Sequence, residues 1–172
     1  MIRVEKTKLE GVLLIKPEIF EDFRGNYVET YNEEVYTKSG IDVNFIQDDI
    51  SVSSKHVLRG IHGDQETWKL ISCHYGRFYL VVINWDSESA QYREWESFTL
   101  SDQNHYQVLV PAEFGNGHLV LSDSAIFHYK QTTYYNPKGQ FTIRWNDPDL
   151  DIWWPIKNPI VSQRDEAGRF VS

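Results

Sequence analysis

The feature that most restricts this fold is the recurrence of short aromatic and β-branched runs, each closed by polar turn residues. Val12–Ile15, Tyr27–Tyr31, Asn44–Ser51, Val57–Ile61, Trp68–His74, Phe78–Trp85, Glu94–Leu100, Tyr106–Val110, His118–Leu121, Ala125–Thr132 and Phe141–Trp145 read as strands. Side chains of these types suit a pleated, half-buried surface and lose rotamer freedom in a helix. Gly76-Arg77, Asp86-Ser87-Glu88-Ser89 and Asn136-Pro137-Lys138-Gly139 supply turn chemistry between the runs. Many short strands at this spacing predict an all-β sandwich or barrel. Phe78–Trp85 is apolar on both faces, as a central strand requires, whereas Arg93–Leu100 alternates and predicts a solvent face. One segment reads as a helix: Asn32 caps it, Glu33 and Glu34 sit in its first turn, Lys38 in its last, and Gly40 ends it. Beyond Trp145 the chain is too rich in Pro and Asp for regular sheet, and the residues from Ser162 onward suit a short helix or tail.

With 172 residues, no repeat and no linker, the chain is expected to be one domain over residues 1–172. Its 41% hydrophobic content is enough for a core. A net charge of −8 lacks the basic footprint of a nucleic-acid binder. A mean hydropathy of −0.49 without a long apolar run predicts no membrane span. Cys73 is the single cysteine, so no internal disulfide is expected, and the opening residues MIRVEKTKLEG are charged where a signal peptide would be apolar. Both point to the reducing cytoplasm.

Histidine is the natural place to look for chemistry, since neutral imidazole serves as base or metal ligand near neutral pH. His56, His74, His105 and His128 have no clustered partner in sequence. His62 lies in Val57-Leu58-Arg59-Gly60-Ile61-His62-Gly63-Asp64, with Lys69 seven residues on. Alternation places Leu58, Gly60 and His62 on one face and Arg59 on the other unless a glycine bulge resets the phase. A second cluster ends in Asn116-Gly117-His118. His62, Asp64 or Glu66, and His118 together suggest a divalent-metal site, although the Lys69 ammonium beside it would repel a cation. Tyr129 and Tyr134-Tyr135, taken alone, read as strand packing, Asp165 as solvated, and Cys73 as a small buried hydrophobe.

Several of these pieces occur together in a familiar order. Asp22-Phe23-Arg24-Gly25, Phe45-Ile46-Gln47, Ser51–Lys55, Leu58–His62, Tyr129-Lys130, Trp145–Pro148, and Trp154-Pro155 through Ser162-Gln163-Arg164-Asp165 make the chain resemble the dTDP-4-dehydrorhamnose 3,5-epimerase family of cupins, from Val12 to Asp165. The resemblance implies a β jelly roll with one or two short helices, a homodimer, and no metal or organic cofactor. It also implies action on a nucleotide-linked 4-keto-6-deoxy sugar. Two departures stand out. The family usually has His-x-Gln where this chain has His62-Gly63-Asp64, and His-Gly-Phe where it has Asn116-Gly117-His118. These paired forms resemble the branch acting on GDP-4-keto-6-deoxy-heptoses of capsular polysaccharide, so a GDP-heptose is the expected substrate and a dTDP-hexose the alternative.

Carried over by the resemblance, His62 is the base, Asp165 its orienting carboxylate, Tyr129 the acid opposite, and Lys69 the charge near the developing enolate oxygen. Arg24, Glu29, Gln47 and Arg59 fall at nucleotide-contacting positions, with the Arg24 segment crossing to the neighbouring subunit. Asp64, Asn116 and His118 are expected to line the sugar pocket. Inversion at C3 alone or at both C3 and C5 stays open, as do a ketoisomerase, a metal-dependent cupin and a non-catalytic sugar-binding module.

Overall fold

The alternating runs resolve into two facing sheets in the computed structural model, which describes residues 1–171. One sheet has the order β1 (Ile2–Lys6), β2 (Leu13–Pro17), β10 (Gln107–Val110), β7 (Lys69–Tyr75), β12 (Ser124–Gln131), β5 (Gln47–Ser54). The other has β13 (Phe141–Thr142), β6 (Leu58–Gly63), β11 (Phe114–Val120), β8 (Arg77–Asn84), β9 (Trp95–Ser101). Neighbouring strands pair antiparallel, and from β9 to β13 successive strands fall in alternate sheets. This is the expected jelly roll.

Inward-facing residues of both sheets form the central core, with Ile71, Cys73 and Phe127 against Phe78, Leu80 and Val82. The outer face of the second sheet is closed by the irregular segment after β13. There Trp145, Leu150 and Trp154 pack on Tyr79, Val81 and Ile83. Its backbone has little ladder to join, so indoles fasten it: Trp154 Nε1 donates to the Trp145 carbonyl at 2.8 Å and Trp95 Nε1 to the Leu150 carbonyl at 2.9 Å. On the first sheet's outer face lies α1 (Glu33–Lys38), capped by Asn32 Oδ1 accepting from Val35 N at 3.3 Å. It seats Tyr36 on Ile15, Leu70 and Leu109. Cys73 is buried, and desolvation pushes its thiol up to about 12, as an inert core residue requires.

Three differences from the expected strands have local causes. β1 was not foreseen because its apolar residues, Ile2 and Val4, alternate with charge; it is an edge strand whose Arg3, Glu5 and the facing Lys16 form an ion-pair row. The expected strand Tyr27–Tyr31 is instead β4 (Gly25–Val28), paired with β3 (Ile19–Asp22) in a hairpin separate from both sheets. β11 begins at Phe114 rather than His118, running straight through Gly115-Asn116-Gly117. Those residues have low strand propensity, but a Cβ on Gly115 would lie 2.7 Å from Ile61 Cγ2, so close packing between strands demands them.

Candidate active site

A cavity of about 490 Å³ opens between the sheets, walled by β5, β7 and β12 on one side and β6 and β11 on the other. Its position follows from one irregularity. On β11 two steps separate Asn116 from His118, while their partners on β6, His62 and Arg59, are three apart. The extra residue on β6 resets the alternation, the exception a glycine bulge allows, so Arg59 and His62 both line the cavity. Gly60 makes this possible. Its φ is +119°, and a Cβ there would stand 2.6 Å from Gly117 Cα.

His62 Nε2 lies 2.5 Å from Asp165 Oδ1. Asp165 sits on the short helix α2 (Gln163–Glu166), where Ser162 Oγ accepts from its backbone N–H at 3.1 Å. The other oxygen, Oδ2, accepts from Gly60 N at 3.3 Å. Burial alone would raise this carboxyl, but the hydrogen bond and charge of His62 and the donors at Gly60 and Ser162 hold it below the usual range. The carboxylate therefore keeps a proton on Nε2 and leaves the Nδ1 lone pair for chemistry.

Tyr129 enters from β12 in the opposite sheet. Burial and the neighbouring Asp49 carboxylate push its phenol up to about 12, so it is a protonated donor at neutral pH. Lys69, from β7, holds its Nζ 5.8 Å from the Tyr129 ring centroid and donates to Asn116 Oδ1 at 3.4 Å. Only 9% of it is exposed, and desolvation lowers its pKa. His118, 3% exposed, stacks on Phe127 with centroids 4.0 Å apart. Its Nε2 has no hydrogen-bond partner among the described residues, and burial drives its pKa to about 3, so the ring is neutral. Arg59 is anchored by Nε donating to Ser53 Oγ at 2.9 Å.

The cavity thus gathers His62, Tyr129, Asp165, Lys69, Gln47, Arg59, Asn116 and His118. It does not gather Asp64, Arg24 or Glu29. Asp64 organises the turn from β6 to β7, accepting from Glu66 N at 3.0 Å and Thr67 N at 2.7 Å, and faces a separate depression. The metal triad of His62, Asp64 or Glu66, and His118 is consequently not assembled. Arg24 stands at the exposed β3–β4 hairpin tip, paired with Asp22 at 2.6 Å, and Glu29 accepts from Asn32 Nδ2 at 3.3 Å. Asp49, Tyr135, Gln140 and Arg164 line the cavity without having been singled out as site residues. Alternation from Gln47 would have found Asp49, and Arg164 adjoins Asp165, but Gln140 carries no sequence signal.

Chemically, a base oriented by a carboxylate, a neutral phenol from the facing sheet, and the buried Lys69 amine suit proton abstraction beside a carbonyl with return of a proton to the opposite face. Among the described residues no helix is long and apolar enough to cross a membrane.

The sequence profile of the dTDP-4-dehydrorhamnose 3,5-epimerase family matches residues 6–172. The enzyme of that name from Methanothermobacter thermautotrophicus is 38% identical over 168 residues, which cover 95% of this chain and 91% of the relative. The crystal structure of the Bacillus anthracis enzyme with TDP and pyrophosphate bound superposes with a TM-score of 0.96 at 32% identity, covering 99% of this chain and 100% of that one. The Legionella pneumophila epimerase in complex with dTDP-4-keto-L-rhamnose gives 0.94 at 34% identity, covering 99% and 93%.

Proposed function

Because the chain belongs to the dTDP-4-dehydrorhamnose 3,5-epimerase family and is thereby an epimerase of a nucleotide-linked 4-keto-6-deoxy sugar, we propose that its substrate is a dTDP-linked 4-keto-6-deoxyhexose of the rhamnose pathway, inverted at C3 and C5. The earlier expectation of a GDP-heptose gives way to this alternative. The relatives described above are dTDP enzymes, two of them seen with TDP or a dTDP-sugar. Asp64, half of the reason for that expectation, is a turn residue outside the cavity.

The observation that carries the mechanism is the His62–Asp165 pair, brought together from β6 and α2 at a cavity that Tyr129 enters from the opposite sheet. The C4 ketone acidifies the hydrogens at C3 and C5. His62 Nδ1 removes one, and Asp165 stabilises the imidazolium that forms. The electron pair passes to O4, where the Lys69 ammonium, made more effective by its dry surroundings, opposes the developing charge. Tyr129 then delivers its proton to the opposite face, and the centre is inverted. Arg59 and Arg164 supply positive charge for the pyrophosphate.

The acting form in this reading is a homodimer. Phe23, 98% exposed, and Arg24 project on the β3–β4 hairpin, a stacking surface beside a guanidinium that stands outside the His62 cavity of its own subunit. It would complete the nucleotide site of the neighbour. The substrate assignment is tested by incubating the protein in D₂O with dTDP-4-keto-6-deoxyglucose and, separately, a GDP-4-keto-6-deoxy sugar. Deuterium at C3 and C5 with inverted product from the dTDP compound is expected. Turnover of the GDP compound in preference would overturn the assignment, and deuterium at C3 alone would restrict it to a 3-epimerase.

A further inference from the structure

Asp49 has no role in the mechanism above, yet it stands at the acid. In the β5–β12 register it is directly opposite Tyr129, a position from which side chains of facing strands touch. Its neighbour Asp48 points to the other face of the sheet, where Lys130 Nζ pairs with it at 2.8 Å. Asp49 instead faces the cavity, held by Gln47 Nε2 donating to Oδ2 at 2.7 Å. That amide cannot flip: Gln47 Oε1 accepts from Tyr135 N at 3.0 Å, and a backbone N–H is a fixed donor, so the NH₂ end must face Asp49. A neutral amide orients the carboxylate without neutralising it.

We propose that Asp49 is the positioning residue of the acid: its unneutralised carboxylate, opposite Tyr129 on the adjoining strand, keeps the phenol protonated between turnovers and drives its reprotonation after each one. The proposal rests on the reading of Tyr129 as the acid. When the Tyr129 O–H bond breaks and the new C–H bond forms, the electron pair stays on the phenolate oxygen beside the Asp49 carboxylate. This like-charge contact is relieved when the phenolate takes a proton from water, while the proton on His62 leaves to solvent. The other groups facing Tyr129 are Lys69 from β7 over its ring, Tyr135 from the loop after β12, and His62 and Arg59 across the cavity. Lys69 favours the phenolate and Tyr135 opposes it. Asp49 is the closest anion in the strand register, and it adds to burial in raising the Tyr129 phenol.

The experiment titrates Tyr129 by tyrosinate ultraviolet difference absorbance, subtracting Tyr129→Phe from the parent protein and the Asp49→Asn/Tyr129→Phe double variant from Asp49→Asn. Asparagine keeps an acceptor for Gln47 but removes the charge, so the Tyr129 midpoint should fall by about one pH unit or more. Asp49→Glu, which keeps the charge, should stay near the parent value. Coincident midpoints for the parent and Asp49→Asn would overturn the proposal, as would an equal fall in Asp49→Glu. Inversion measured separately in Tyr129→Phe keeps the two ideas apart. If that variant still inverts the sugar, the acid assignment fails whatever the titration shows; if it does not, the titration judges Asp49 alone.

Discussion

Asp165→Asn is the substitution whose outcome the geometry constrains most tightly. Both oxygens of Asp165 accept, Oδ1 from the His62 ring at 2.5 Å and Oδ2 from Gly60 N–H at 3.3 Å. Asparagine has one acceptor and one donor end. Gly60 N–H is a backbone donor and cannot change its role, so the amide oxygen must remain there and the NH₂ must turn toward His62 Nε2. The imidazole then has to accept at Nε2, which places its proton on Nδ1, the nitrogen that should remove hydrogen from C3. The base is silenced without a change of shape. Losing a positioned general base costs about 10²–10⁴-fold, or about 2.7–5.4 kcal/mol of barrier at 1.36 kcal/mol per decade. We expect kcat for inversion, and the rate of C3 deuterium uptake in D₂O, to fall together by that factor. Imidazole ¹⁵N shifts should report the move of the proton from Nε2 to Nδ1, and the melting temperature should change little. Deuterium uptake within tenfold of the parent rate, or an unchanged tautomer in the variant, would refute the argument that Asp165 sets the base.

His118→Phe should stabilise the protein, because it removes a buried ring nitrogen that has no partner and keeps the stack on Phe127. A gain of about 1 kcal/mol corresponds to roughly 2–4 °C in Tm for a chain of this size. The gain should grow in acid. The folded-state pKa of about 3 lies below the unfolded value near 6.5, so the unfolded chain binds a proton that the native ring refuses, and stability from this site is lost as pH falls from 6.5 toward 3. A Tm difference between parent and variant that is constant over that interval would count against it. For the dimer, mixing inactive His62→Asn with inactive Arg24→Ala subunits should restore part of the activity, since one composite site then has both groups; no recovery after verified subunit exchange would remove the crossing hairpin from the mechanism.

How much of this was legible in the chain depends on the range of the interactions involved. Most of the strand runs, the Asn32 cap and the short helix at Ser162 to Asp165 are local, since each rests on side-chain shape or on hydrogen bonds within a few residues, and these stand in the structure. His62, with Lys69 close by, stood out from its own segment, but Tyr129 and Asp165 were reached only through resemblance, because nothing within Tyr129's own segment distinguishes an acid from a packed strand residue. Asp64 looked like part of the site by proximity to His62, yet its carboxylate is used by two backbone N–H groups of the adjoining turn. Asp49 looked like one of two equivalent aspartates until the sheet separated them, turning Asp48 to Lys130 and Asp49 to Tyr129.

The sequence by itself determined an acidic all-β chain built of short strands with one capped helix, because propensity, alternation and turn chemistry act over a few residues. Only the tertiary structure decided which functional groups meet. His62 and Asp165 are far apart along the chain but 2.5 Å apart in space, and Arg59 shares their cavity because Gly60 lets β6 take an extra residue against β11. Such meetings depend on the register between strands, where a slip of one residue exchanges the cavity face for the opposite one, and no segment encodes its register alone.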